Sequence, residues 1–131
     1  MTHLSSIQYK ESTVKRAERA LYFCPFATKL FSQMKRESVP LPTIAQESGL
    51  KSGYTTKMLT ERQVEVELDW LIQVGLLRRE VDGQGITDSF RLTPLGRQIL
   101  DNWRQQNKTK SSSYLKEWTL YAISRWLNLS S

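Results

Sequence analysis

Residues 60–100 read TERQVEVELDWLIQVGLLRREVDGQGITDSFRLTPLGRQIL, and this stretch decides the fold. Thr60 can cap a helix, and Glu61 sets a carboxylate at the positive end of that helix. Val64, Leu68, Leu71 and Ile72 then recur at helical spacing, and Gly75 follows as the residue that ends the helix in a left-handed turn. The next run changes period. Leu76 to Val81 is short, while Ile86, Phe90 and Leu92 fall on one side of a second run that has Thr87, Ser89 and Arg91 on the other. Period-two alternation broken by Asp82-Gly83-Gln84-Gly85 predicts a two-stranded hairpin. Thr93 and Pro94 then open another helix, with proline at a first position where it loses no hydrogen bond. Leu95, Ile99, Leu100 and Trp103 give that helix an apolar stripe.

Upstream, Phe26 to Arg36 places Phe26, Leu30 and Met34 on one helical face, and Val39-Pro40-Leu41-Pro42 is extended, suited to a short third strand beside the hairpin. The next helix is expected to begin either at Pro42 or with a Thr43/Gln46 capping box, and to end at Gly49. Lys51 to Leu59 is either a loop or an irregular first turn of the helix after it. At the front of the chain, Glu11 to Phe23 predicts a helix with Val14, Ala17, Ala20 and Leu21 inward and Lys15, Arg16 and Arg19 outward. The expected core comprises Leu30, Met34, Ile44, Ala45, Val64, Leu68, Leu71, Leu77, Phe90, Leu92, Leu95 and Ile99.

The pattern Leu68-x-Trp70-Leu71-x-x-x-Gly75-Leu76-Leu77-Arg78, a glycine turn, and Phe90-Arg91-Leu92-Thr93-Pro94-Leu95-Gly96-Arg97 resembles winged helix-turn-helix proteins of the MarR and PadR kind. Ile44-Ala45-Gln46-Glu47-Ser48-Gly49-Leu50 is similar to the second helix and sharp turn of that domain. The resemblance covers about residues 26 to 103. It implies a mainly α fold with a small β-hairpin wing, a winged helix-turn-helix with extra N- and C-terminal helices. The corresponding division is an N-terminal helical extension at 1–25, the winged-helix domain at 26–106, and a linker with a C-terminal amphipathic helix at 107–131.

With 131 residues the chain is long enough for one domain with a core and short for two. The hydrophobic fraction of 39% and charged fraction of 24% are those of a globular protein. Residues 1–11, MTHLSSIQYKE, lack the apolar core of a signal peptide, and no apolar run approaches the ~20 residues that span a bilayer. The expectation is therefore a cytoplasmic protein without a membrane partner. Cys24, flanked by Phe23 and Pro25, is the single cysteine and is read as a small buried hydrophobe. The only histidine is His3. Without a Cys/His, Ser/His/Asp or metal-ligand cluster, and without a phosphate-binding glycine loop opening a helix, neither an enzyme nor a metal or cofactor site is expected.

A net charge of +6 favours an acidic partner, and with the resemblance it points to double-stranded DNA and a sequence-specific transcriptional regulator acting as a dimer. The candidate DNA contacts are Ser52, Tyr54, Thr55, Thr56 and Lys57 ahead of the helix, Arg62 on its outward face, and Arg78, Arg79, Gln84 and Arg91 in the wing. Arg62 is assigned to a base edge, and Lys57 and the wing arginines to phosphates or the minor groove. The same helix also turns Glu65, Asp69 and Gln73 outward, an acidic face that meets phosphates badly. The alternative is thus a winged-helix protein-protein interaction module, serving the transcription machinery or an assembly partner, that does not bind DNA. After a polar linker, Leu115, Trp118, Ala122, Trp126 and Leu129 form an apolar stripe assigned first to a homodimer interface, next to packing on its own domain, and last to a membrane surface.

Overall fold

A computed structural model of the chain describes residues 8–105. Within them the order is α1 (Glu11–Phe23), α2 (Thr28–Arg36), β1 (Val39–Pro40), α3 (Leu41–Ile44), α4 (Gln46–Ser52), α5 (Glu61–Gln73), β2 (Leu77–Asp82), β3 (Gly85–Leu92) and α6 (Pro94–Gln105). The described residues are mainly helical, with a small three-stranded antiparallel sheet in the order β1-β3-β2.

The central helix, α5, begins as its sequence dictates. Thr60 Oγ1 accepts from the Gln63 amide at 3.1 Å, while Gln63 Oε1 accepts from the Thr60 amide at 2.9 Å, so two otherwise orphaned donors are satisfied reciprocally. Val64, Leu68 and Leu71 are fully buried, Ile72 lies partly buried against the core, and Gly75 closes the helix at φ +91°. Arg16, from the outward face of α1, donates to the Gln73 carbonyl at 3.4 Å, setting a cation at the negative end of α5. Thr93 then couples two elements: its hydroxyl accepts from the Gly96 amide at 3.0 Å, capping α6, and donates toward the carbonyls of Gly75 and Leu76.

All twelve expected core residues are buried, and Cys24 joins them at 3% exposure. The helix read as an N-terminal extension is part of the same body: Ala17, Ala20 and Leu21 belong to the core cluster, and Tyr22 meets Trp103 of α6 edge-on at 5.9 Å. Ala17 and Ala20, both fully buried, are the small side chains on the face that α1 packs toward α5 and α6.

Two local expectations are corrected. Helix α2 starts at Thr28 because the backbone at Phe26 is spent on a bridge to Thr55, and the Ala27 amide donates to the Tyr54 carbonyl at 2.8 Å. Gly49 does not end a helix. The segment 41–52 is split at Ala45, whose ψ of 159° is extended, and Gly49 sits inside α4, which ends at the left-handed Gly53 (φ +78°). A Cβ on Gly49 would stand 1.8 Å from the Ile44 carbonyl oxygen, so glycine is there for the close approach of α4 to α3. Ile86, on the alternating side of Phe90 and Leu92 but outside the expected core, lies in solvent. It is 76% exposed, opposite Val81 at 64%, because β3 carries a bulge between its pairings at Phe90 and Ile86 and runs past the core toward its tip.

Candidate nucleic-acid interface

The segment between α4 and α5 is a loop, stitched to the start of α2. Besides the Phe26–Thr55 bridge and the Ala27–Tyr54 bond, the amides of Tyr54 and Thr55 both point at the Gly49 carbonyl, at 2.9 and 3.4 Å. This tether decides which of the candidate hydroxyls reach solvent. Thr55 is 4% exposed with its Oγ1 unpartnered, so it is withdrawn as a phosphate contact. Tyr54 packs partly buried against the core and Ser52 is half-buried, whereas Thr56 and Lys57 are exposed. Among the described residues Lys57 forms no ion pair.

The same tether brings in a residue that local sequence reading misses. Lys29, in the first turn of α2, runs its side chain past Gly53, with Nζ 3.4 Å from where a Cβ would stand. Its ammonium therefore stands beside the α4–α5 loop, a neighbourhood set by the Ala27–Tyr54 bond and by no local pattern. Lys51 adds an 80%-exposed side chain only 4.0 Å from Glu47, and Arg62, on the first turn of α5, is 81% exposed and 3.2 Å from Glu65. Exposed pairs of that kind are worth about 0–1 kcal/mol and exchange readily for another anion. Lys29 beside Gly53, Thr56 and Lys57 in the loop, and Arg62 on the first turn of α5 thus present hydroxyl and cationic groups to solvent.

The hairpin arginines stand differently. Arg79 is fixed on three sides: its guanidinium lies 4.7 Å above the Phe90 ring, donates to the Thr87 carbonyl at 3.5 Å, and pairs with Asp69 at 3.2 Å. Arg78 and Arg91 both pair with Glu80, at 3.1 and 3.2 Å. Each of the three expected phosphate contacts in the hairpin is therefore engaged inside the protein. Gln84 is exposed at the tip, where its amide donates to Asp82 Oδ1 at 2.7 Å.

On the outward side of α5, Gln73 is exposed, Asp69 is committed to Arg79, and Glu65 to Arg62. The assigned dimer residues Leu115, Trp118, Ala122, Trp126 and Leu129 lie outside the described residues. Among the described residues no three His, Cys, Asp or Glu side chains gather to hold a metal ion, and no helix is long and apolar enough to cross a membrane.

A family model described as Npun_F0494-like matches residues 7–125. No curated protein and no solved structure matches the chain.

Proposed function

The chain belongs to the Npun_F0494-like family, and we propose that it is a winged-helix protein that binds double-stranded DNA as a dimeric transcriptional regulator. Support for the fold name is the element order: α2, β1, the α3–α4 corner, α5, and then the β2–β3 hairpin. The observation that carries the function is the row of exposed side chains leading to the amino end of α5: Lys29 beside Gly53, Thr56 and Lys57 in the loop, and Arg62 on the first turn. Lys29 and Lys57 contact phosphates, Thr56 adds a hydroxyl donor, and Arg62 exchanges Glu65 for a guanine edge, a bidentate contact worth ~1–3 kcal/mol of discrimination.

Fluorescence anisotropy with duplex DNA over a salt series tests this. The affinity should fall linearly on a log–log plot, and Lys57→Ala and Lys29→Ala should each flatten the slope by about one for all sequences alike. Absence of salt-sensitive affinity at low ionic strength would shift the function to a protein partner. That second reading draws on Glu65, Asp69 and Gln73 together with Val66, which is 41% exposed on the same helix.

The dimer is proposed from the Trp118/Trp126 stripe in the sequence, since such a stripe is costly to leave in water. Sedimentation of the full chain at tens of micromolar should give a dimer, and truncation after Asn107 a monomer. A full-length monomer at that concentration rules the dimer out.

A further inference from the structure

Arg78 and Arg91 are direct partners across the β2–β3 ladder, so two like charges share one face of the hairpin. Glu80 follows Arg78 by two residues on that same face and resolves the repulsion, giving Oε2 to Arg78 and Oε1 to Arg91. Its position is fixed from both sides. The β3 bulge sets residues 87–89 against Glu80 alone, with Thr87 Oγ1 donating to the Glu80 carbonyl at 2.8 Å and accepting from the Ser89 amide at 3.2 Å. Arg91 also donates to the Arg36 carbonyl at 3.5 Å. The Glu80 and Arg91 side chains are only 28% and 29% exposed, which sets this pair apart from the loose surface pairs of Lys51 and Arg62. Over residues 78–91 three arginines face Glu80, Asp82 and Asp88, and the hairpin is electrically neutral.

Resting on the DNA reading above, we propose that Glu80 is a specificity-determining residue that withholds Arg78 and Arg91 from DNA phosphates. A guanidinium that turned to a phosphate would give up Glu80 and leave an uncompensated carboxylate beside the same phosphate, so the exchange gains little. The hairpin then adds almost nothing to sequence-independent affinity, which scales with the number of phosphates neutralised. Phosphate contact is left to the α4–α5 loop, and discrimination to Arg62. Low affinity for arbitrary sequence matters because competing non-specific sites vastly outnumber specific ones.

The test uses the full chain and a duplex of arbitrary sequence, with affinity measured against salt. Glu80→Gln removes the charge while keeping one acceptor for an arginine. Its affinity at low salt should rise about tenfold and its salt slope should steepen by about two, one for each released arginine. Adding Arg78→Ala and Arg91→Ala to that variant should restore the wild-type slope. Arg78→Ala alone, which leaves the Glu80–Arg91 pair in place, should leave the slope unchanged. If wild type binds DNA and Glu80→Gln keeps its slope, or if Arg78→Ala alone flattens it, Glu80 withholds nothing and only the DNA reading stands. If wild type shows no salt-sensitive affinity for duplex at low ionic strength, both readings fall, whatever Glu80→Gln does.

Discussion

Leu68→Ala should lower the free energy of unfolding by about 2–5 kcal/mol, the range for deleting three carbons from a packed core. Leu68 is 0% exposed in the middle of α5, a helix that packs against α1, α3 and β2, so neighbours close over it from several elements. Partial collapse of any one of them cannot fill the space, since Phe26, Phe31 and Phe90 in the same cluster are themselves fully buried. The loss has both a transfer part and a cavity part. Urea denaturation should show a lower midpoint with an unchanged dependence on denaturant, because the surface exposed on unfolding hardly changes. A loss below about 1 kcal/mol would mean that Leu68 is not enclosed as described.

Gly49→Ala should cost about 3 kcal/mol, at the upper end for an added methyl, because nothing near the new atom can yield cheaply. Its Cβ would lie 1.8 Å from the Ile44 carbonyl oxygen and 2.6 Å from the Ile44 carbonyl carbon. Both are backbone, so the corner between α3 and α4 must open. The Gly49 carbonyl accepts from Tyr54 and Thr55, and opening the corner also displaces the loop that carries Thr56 and Lys57. The substitution should therefore weaken DNA binding beyond what its loss of stability explains, measured where the variant is still folded. Gly83→Ala is the control: a Cβ there meets nothing within 4 Å, and the stability should stay within about 0.5 kcal/mol of wild type. Equal effects at the two glycines would refute the close-approach argument.

The contrast between these glycines also shows what the sequence makes legible. Gly83 lies in a turn announced by its neighbours Asp82, Gln84 and Gly85, and the Thr60 cap and the Gly75 stop of α5 are equally local. Such features were readable because the residues that define them are adjacent. The role of Gly49 depends on Ile44 across a corner that no periodicity marks, so the glycine reads as a helix end. Thr55 looks like one more hydroxyl in a polar loop until its backbone is seen bridging to Phe26, which turns it inward. Alternation sets Ile86 on the side of Phe90 and Leu92, yet only those two are buried, because the strand runs past the core before it reaches Ile86. At the candidate interface, Lys57 and Arg62 were legible as exposed cations, whereas Lys29 enters only through the tether to Tyr54. Arginines in a hairpin suggest phosphate contacts, but their charge is spent on Glu80 and Asp69, and which acid pairs with which base depends on register, bulge and the approach of α5.

The outermost strand on one side of the sheet, β1, is only two residues long, and one of the two is Pro40. An edge strand normally offers a row of free amide and carbonyl groups that a second chain can extend into a larger sheet. Proline has no amide hydrogen to contribute, and a single remaining residue cannot align an incoming strand. On this side the molecule is thus guarded against edge-to-edge polymerisation, and an encounter between two copies there finds no ladder to continue.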